Sequence, residues 1–140
     1  DMCDYLLPAG KIVYQEDKNG NVLSTYESTD DEQLDLPMVV LVNGESASAS
    51  EIMTAALKEY GVATIIGENT YGKGIVQSVI PLSELTTAKY FTPNGNDIHK
   101  KGVAPDIEVK LPEDYTADDF QGEKDTQYQK GLEVLRGKVK

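Results

Sequence analysis

An apolar stretch, a helix and a second apolar stretch follow one another near the middle of the chain, and this pattern constrains the fold more than any other. Residues 36–42 (LPMVVLV) form a continuous apolar run, as expected of a strand buried on both faces. Apolar spacing over residues 48–60 predicts an amphipathic helix that Gly61 ends, and residues 63–67 (ATIIG) predict a second buried strand. Such a unit joins parallel strands, so we expect an α/β domain.

Further elements are predicted on both sides of this unit. They are a hairpin of strands 11–15 and 22–27 around the turn 17–20, strands over 75–80 and 87–92, and a terminal helix over 125–135 docked by Leu132 and Leu135. Residues 112–124 are polar and predicted to be irregular. We therefore divide the chain into a core region, residues 1–111, and a polar segment with a short helix, residues 112–140.

Composition excludes several kinds of partner and site. The 140 residues carry 13 basic and 24 acidic side chains, for a net charge of −11, which disfavours nucleic acid or anionic lipid as the main partner. A single cysteine and a single histidine exclude an intrachain disulfide, a cysteine-based zinc site and a histidine-rich metal centre. No apolar run approaches the roughly 18 residues of a membrane helix. We predict neither a metal ion nor another cofactor.

Residues 67–73 fit the phosphate-binding pattern G-x-x-x-x-G-K after a buried strand. A true phosphate-binding loop continues with Ser or Thr, which holds Mg²⁺, and with a helix whose N-terminus faces the phosphates. Here Gly74 follows Lys73, and residues 75–80 are predicted to form a strand. Because both requirements fail, we predict that the chain does not bind a nucleotide.

A cluster of serines lies between the first apolar strand and the helix, at residues 46–51 (SASASE). The spacing of Ser48 and Glu51 is that of a capping box, which is enough to explain a serine at the helix start. A strand-to-helix turn is also where hydrolases present a nucleophile, since the helix N-terminus offers free N–H groups to a developing oxyanion. The residues alone leave both interpretations open.

A nucleophilic serine needs a base, which in this sequence is either His99 or a lysine. His99 lies in a predicted surface turn. A Cys3–His99 pair is a weaker alternative, because Cys3 is expected to lie in a frayed terminus. A lysine must lose its charge near neutral pH, well below its reference pKa of about 10.4, which requires a desolvated pocket. Lys73, between two glycines and next to an apolar strand, fits such a pocket better than Lys100 or Lys101. Spacing alone does not decide between the candidates.

Six segments occur together in an order that is specific only as a set. They are residues 6–13 (LLPAGKIV), 43–52 (NGESASASEI), 60–61 (YG), 67–68 (GE), 71–77 (YGKGIVQ) and 102–107 (GVAPDI). As a set they closely resemble the C-terminal processing peptidases, also called tail-specific proteases. The resemblance implies an α/β core of the crotonase or ClpP kind and a serine endopeptidase that cleaves proteins near their C-termini.

The resemblance also assigns roles to residues of this chain. It implies that Ser48 is the nucleophile, that Lys73 is the general base and that Gln77 orients the lysine amine. The backbone N–H of Ala49 would be one oxyanion donor, and Glu51 would be a supporting polar residue. Ser46 and Ser50 would then be helix-entry residues rather than nucleophiles.

Departures from the family pattern limit what this chain is expected to do alone. We find three parts of the family pattern missing from these 140 residues: the upstream glycine segment that supplies the other oxyanion donor, the PDZ domain, and the usual signal or membrane anchor. We therefore expect an incomplete part of the catalytic domain, weak or inactive by itself. The family implies protein substrates bound by their C-terminal region and an extracytoplasmic location. The alternative is a non-catalytic remnant that binds peptides by strand addition at a sheet edge, and a plain structural domain is the third possibility.

Overall fold

The computed structural model describes residues 2–29, 33–80 and 83–139; the side chains of residues 77–80 and 83–87 are outside the description. The chain has a mixed helix and strand architecture, which confirms the predicted α/β class. The elements in order are α1 Met2–Leu6, β1 Gly10–Glu16, β2 Val22–Ser28, β3 Met38–Val42, α2 Ala49–Glu59, β4 Ala63–Gly67, β5 Ile75–Ile80, β6 Ser83–Phe91, β7 Ile107–Glu108, a 3₁₀ turn Ala117–Asp119 and α3 Thr126–Lys138.

Two sheets organise these strands. An antiparallel sheet has the order β2-β1-β6-β5, and a parallel sheet has the order β3-β4-β7. The β1–β2 hairpin is the predicted one, and its turn is held by the Asp17 carboxylate, which accepts hydrogen bonds from the backbone N–H groups of Asn19 and Asn21. β3 and β4 pair in parallel from Met38 opposite Ala63 to Val42 opposite Gly67, which confirms the strand–helix–strand prediction.

Helix α2 packs between the two sheets and forms the core with them. The buried residues of this core are Leu7, Ile12, Val13, Val42, Ala56, Leu57, Ala63 and Ile65. The helix ends where predicted, with Gly61 in the left-handed region (φ 70°), because a residue without a Cβ adopts that backbone without strain. This packing fixes the start of α2 at the carboxyl end of β3.

Strand β3 differs from the sequence prediction in length and burial. It covers Met38–Val42 rather than residues 36–42, and Leu41 is 40% exposed. Both faces are nevertheless covered, since Met38 and Val40 pack on the core while Val39 and Leu41 lie against Gly131 of α3. The exposure arises because β3 has a strand partner on one side only among the described residues.

The C-terminal region folds onto the parallel sheet. Asp125 caps α3 by accepting the Tyr128 N–H at 2.9 Å, so the helix begins where predicted and extends three residues further, to Lys138. Its buried residues are Gln127 and Gly131, whereas Leu132 is half-buried. The Gln127 amide donates to the Val109 carbonyl at 2.9 Å. The division of the chain at residue 111 stays a prediction. In the described residues, no helix is long and apolar enough to cross a membrane.

Candidate active site

The turn between β3 and α2 holds Ser48 in an unusual backbone conformation. Ser48 is the residue that precedes the helix, with φ 57° and ψ −117°, a region that a residue with a Cβ rarely adopts. Such a conformation costs roughly 1–3 kcal/mol and is found where the surrounding structure imposes it. Sharp strand-to-helix turns of this kind expose the nucleophile in α/β-hydrolases. Ser48 is exposed here, in agreement with that use.

The neighbouring serines have local partners. The Ser46 hydroxyl accepts a hydrogen bond from the Asn43 N–H at 3.2 Å, which closes the loop that follows β3. Ser50 lies in the first turn of α2, where its N–H donates to the Ala47 carbonyl at 3.2 Å. Ala49 is the first helical residue, and the N–H groups of a first helical turn have no partner within the helix. Since the Ser50 and Glu51 N–H groups donate to the Ala47 and Ser48 carbonyls, the Ala49 N–H is the donor beside Ser48 that has no hydrogen-bond partner among the described residues.

Glu51 connects the serine turn to the lysine loop, residues 68–74. Its side chain is completely buried, and one carboxylate oxygen accepts the Ser48 N–H at 2.9 Å and the Lys73 N–H at 2.8 Å. Because both N–H groups donate to the same oxygen, the backbone nitrogens of Ser48 and Lys73 lie close together. The other oxygen accepts the Gly72 N–H at 2.6 Å and the Thr70 hydroxyl at 2.5 Å. Four donors satisfy a buried carboxylate that would otherwise be costly.

This arrangement gives Glu51 more contacts than a capping box requires. The Ser48 and Glu51 spacing does form the predicted box at the start of α2. Glu51 additionally fixes two backbone N–H groups of a loop that lies 21 and 22 residues later in the chain. Sequence spacing indicates only the first of these functions, because the second depends on how β4 returns the chain to the start of α2.

The lysine loop is held on its other side by residues 98–103. Thr70 accepts the Val103 N–H at 2.7 Å through its hydroxyl, and the Gly72 carbonyl accepts the Lys100 N–H at 2.8 Å. A Cβ on Gly74 would lie 2.6 Å from the His99 nitrogen, so only glycine allows this close approach. Thr70 is buried inside the segment that fits the phosphate-binding pattern, and no sequence pattern marks it as a functional residue.

An open groove of about 830 Å³ runs beside these loops. Its lining residues are Gly44, Glu45, Ala47, Tyr71, Gly72, Lys73, Ile75, His99 and Lys100. Tyr71 is 68% exposed, and its N–H donates to the Ser46 carbonyl at 2.9 Å, which joins the two loops a second time. The groove therefore lies between the serine turn and the lysine loop, and its size and openness suit an extended peptide.

The side chain of Lys73 is exposed, contrary to the desolvated pocket that the sequence led us to expect. The backbone explains the difference, because the glycines on both sides pack on residues 98–102 while Lys73 lies on the wall of the open groove. In this structure the groove does not enclose the amine.

The other predicted residues are placed as follows. Gln77 lies in β5, four residues after Lys73, and its side chain is outside the described residues. His99 lies in a turn, as predicted, but it is half-buried and lines the same groove. Its buried Nδ1 has no hydrogen-bond partner in the part of the chain that the structure describes. Cys3 lies half-buried in α1, and burial raises the pKa of its thiol. Lys73 is followed by strand β5 and not by a helix, so the geometry of a phosphate-binding loop is not formed.

Charges next to the groove are arranged by local contacts. The Asp97 carboxylate accepts a hydrogen bond from the His99 backbone N–H at 2.8 Å and forms an ion pair with the Lys89 Nζ at 2.9 Å. Burial pushes the pKa of the Asp97 carboxyl upward, but these hydrogen bonds and the Lys89 charge lower it more, so that it lies below its ordinary value. In the part of the chain that the structure describes, no cluster of three His, Cys, Asp or Glu side chains is placed to hold a metal ion.

Comparison with known proteins shows where this arrangement belongs. The family model of peptidase family S41 matches residues 1–109. The chain belongs to peptidase family S41. It is 41% identical to a carboxyl-terminal-processing protease of Synechocystis sp. and 41% identical to a carboxy-terminal-processing protease of Bartonella bacilliformis, covering 99% and 98% of this chain. Those matches cover 33% and 32% of the relatives, so this S41 chain spans about a third of their length.

A solved structure agrees with this assignment. The photosystem II D1 C-terminal processing protease superposes with a TM-score of 0.70 at 35% identity, over 91% of this chain and 34% of that one. The S41 chain therefore has the fold of a peptidase core region, and its family is one of serine hydrolases that act on peptide bonds.

Proposed function

We propose that this S41 chain carries the nucleophile and general base of a C-terminal processing serine peptidase, with Ser48 as nucleophile and Lys73 as base. The observation that carries the proposal is the shared oxygen of Glu51, which accepts both the Ser48 N–H and the Lys73 N–H. A buried carboxylate with four donors has little freedom to move, so it holds the two loops in a fixed relation. Glu51 is thus proposed as the positioning residue of the pair.

The proposed reaction has two steps. The Ser48 oxygen attacks the peptide carbonyl while the Lys73 amine takes the hydroxyl proton, and that proton then passes to the departing amine, leaving an acyl-enzyme. Water then attacks the ester, gives a proton to Lys73, and the Ser48 oxygen leaves and is reprotonated. The Ala49 N–H at the start of α2 donates to the oxyanion in both steps, helped by the helix dipole. Gln77 is proposed to orient the amine.

The exposure of Lys73 adds a requirement to this mechanism. An uncharged amine is favoured where water is excluded. Since Lys73 lies on the wall of the open groove, we propose that the bound peptide covers the groove and removes that water. The base would then become competent when substrate is present.

The family resemblance also supports a proposal about substrate and location. Protein substrates bound by their C-terminal region are proposed on the family resemblance and on the names of the relatives, which describe carboxyl-terminal processing. An associated PDZ domain and an extracytoplasmic site of action are proposed on the family resemblance alone. A second candidate is a non-catalytic peptide-binding function. It is favoured by β5, which pairs only with β6 among the described strands and whose first residue, Ile75, lines the groove.

Labelling with a fluorophosphonate probe tests the catalytic proposal, because it requires an activated serine but no turnover. We expect mass spectrometry to find the label on Ser48, and Ser48→Ala to abolish it while Ser50→Ala does not. Lys73→Ala should slow labelling by about 10²-fold or more, since removal of a general base typically has that effect. Lys101→Ala is the matched control, as an exposed lysine of the neighbouring loop.

Other outcomes would change the assignment. Labelling that survives Lys73→Ala but is lost in His99→Gln would make His99 the base, which its place on the groove wall permits. Labelling of another serine would remove Ser48 as nucleophile. Peptide binding to a chain in which no serine reacts would favour the non-catalytic function. Hydrolysis of a C-terminal peptide by the 140-residue chain is expected to be slow.

A further inference from the structure

The two walls of the groove carry opposite charges. Glu45 lies on the serine side, and Lys73 and Lys100 lie on the other side. Lys100 is exposed and has no ion-pair partner among the described residues, although the chain has a net charge of −11 and its other loops contain many acids. If Lys73 acts as an uncharged base, Lys100 is the cation that remains on this wall.

The backbone holds Lys100 in place beside the lysine loop. Lys100 is one of three non-glycine residues with positive φ in the described chain, with φ 60°. The Lys100 N–H donates to the Gly72 carbonyl at 2.8 Å. The two backbones are close, because a Cβ added to Gly72 would lie only 3.1 Å from the Lys100 Cα. A lysine adopts this conformation only where its surroundings enforce it. The Lys100 backbone is therefore held against the lysine loop, at a position that lines the groove.

We propose that Lys100 is a specificity-determining residue, which recognises a carboxylate of the peptide bound in this groove. The proposal rests on the proposed function of the groove as the peptide site, and it names the class of peptide that this site prefers. The carboxylate belongs either to an Asp or Glu side chain or to the C-terminus of the peptide. Glu45 on the facing wall repels a carboxylate, so the peptide is expected to bind with its carboxylate toward Lys100.

The expected effect is moderate. An exposed pair of opposite charges changes an equilibrium by about two- to fivefold at low salt, and the effect decreases as salt rises. A structural lysine that merely occupies an exposed turn would produce no preference among peptides. The comparison therefore has to be made between matched peptides and between neighbouring lysines.

Binding measured by fluorescence polarisation separates this proposal from the catalytic one. The protein is the full chain with Ser48→Ala, and the probes are four labelled hexapeptides of otherwise identical sequence. They carry Glu or Gln at one internal position, each with either a free C-terminus or a C-terminal amide. We expect Kd to be about two- to fivefold lower for a peptide with the recognised carboxylate, and the four peptides show which of the two carboxylates it is.

Substitutions then assign the preference to one residue. Lys100→Gln should abolish it and Lys100→Glu should reverse it, whereas Lys101→Gln, the adjacent exposed lysine outside the groove lining, should leave it unchanged. Equal affinities for all four peptides, absence of binding, or a preference that survives Lys100→Gln would overturn the proposal. A charge preference in a protein that never labels at Ser48 would leave this inference standing and reject the catalytic one.

Discussion

Replacement of Glu51 by glutamine changes one atom at the centre of the site. The side chain is fully buried, and each carboxylate oxygen accepts two hydrogen bonds. A glutamine keeps one acceptor oxygen, and its NH₂ group takes the place of the other. In either orientation of the amide, the NH₂ group faces two donors and cannot accept their hydrogen bonds. Either Ser48 and Lys73 lose their acceptor, or Gly72 and Thr70 do.

The size of the effect follows from these contacts. Hydrogen bonds to a charged group are worth about 1.5–3 kcal/mol each, and two are lost. The neutral amide is less costly to bury than the carboxylate, which offsets part of that loss. We expect Glu51→Gln to lower the free energy of unfolding by about 2–4 kcal/mol. Glu45→Gln, at an exposed acid of the preceding loop, should change it by no more than about 0.5 kcal/mol.

Two measurements check the reasoning. Urea unfolding gives the change in free energy, and amide hydrogen exchange by NMR reports which contacts are lost. Exchange at Ser48, Gly72 and Lys73 should accelerate more than exchange in the core strand β4, because the variant removes an acceptor at the site itself. A loss of stability below about 1 kcal/mol, or unchanged exchange at all three amides, would show that Glu51 does not hold the loops together.

Two further predictions concern the loops that flank the site. Gly74→Ala should destabilise the fold by about 1–3 kcal/mol in thermal or urea unfolding, because the added Cβ would lie 2.6 Å from the His99 nitrogen, whereas Gly44→Ala enters open space and serves as control. Equal stability of the two variants would contradict the close approach. The pKa of Asp97 is lowered on folding, so its contribution to stability is present above its ordinary pKa and is lost as pH falls through the folded value. Asp97→Asn should therefore lower the urea midpoint at pH 6 and have a smaller effect at pH 3. The loss of unfolding free energy should stay within about 1 kcal/mol, because the partner, Lys89, is largely exposed. A larger effect at pH 3 than at pH 6 would contradict the predicted direction of the pH dependence.

Local patterns were sufficient for most of the secondary structure. The period of apolar residues located α2 and β4, and turn residues located the β1–β2 hairpin, because these signals act over a few neighbouring positions. The start of β6 was missed by four residues, and the short helix α1 was not predicted. The ends of such elements depend on tertiary pairing. The first residues of β6 are in a strand because they pair with β5, from Ser83 opposite Ile80 onward.

The sequence by itself determined the strand–helix–strand unit, the position of Ser48 at a helix start and, through an ordered set of motifs, the family. Only the tertiary structure decided that Glu51 accepts hydrogen bonds from both loops, that His99 and Lys100 share a groove with Lys73, and that Lys73 is exposed. The reason is physical, since helix and strand signals repeat within a few residues of the chain. The buried Glu51 carboxylate, in contrast, accepts hydrogen bonds from backbone N–H groups 21 and 22 residues later in the chain, and no local sequence pattern predicts contacts over that separation.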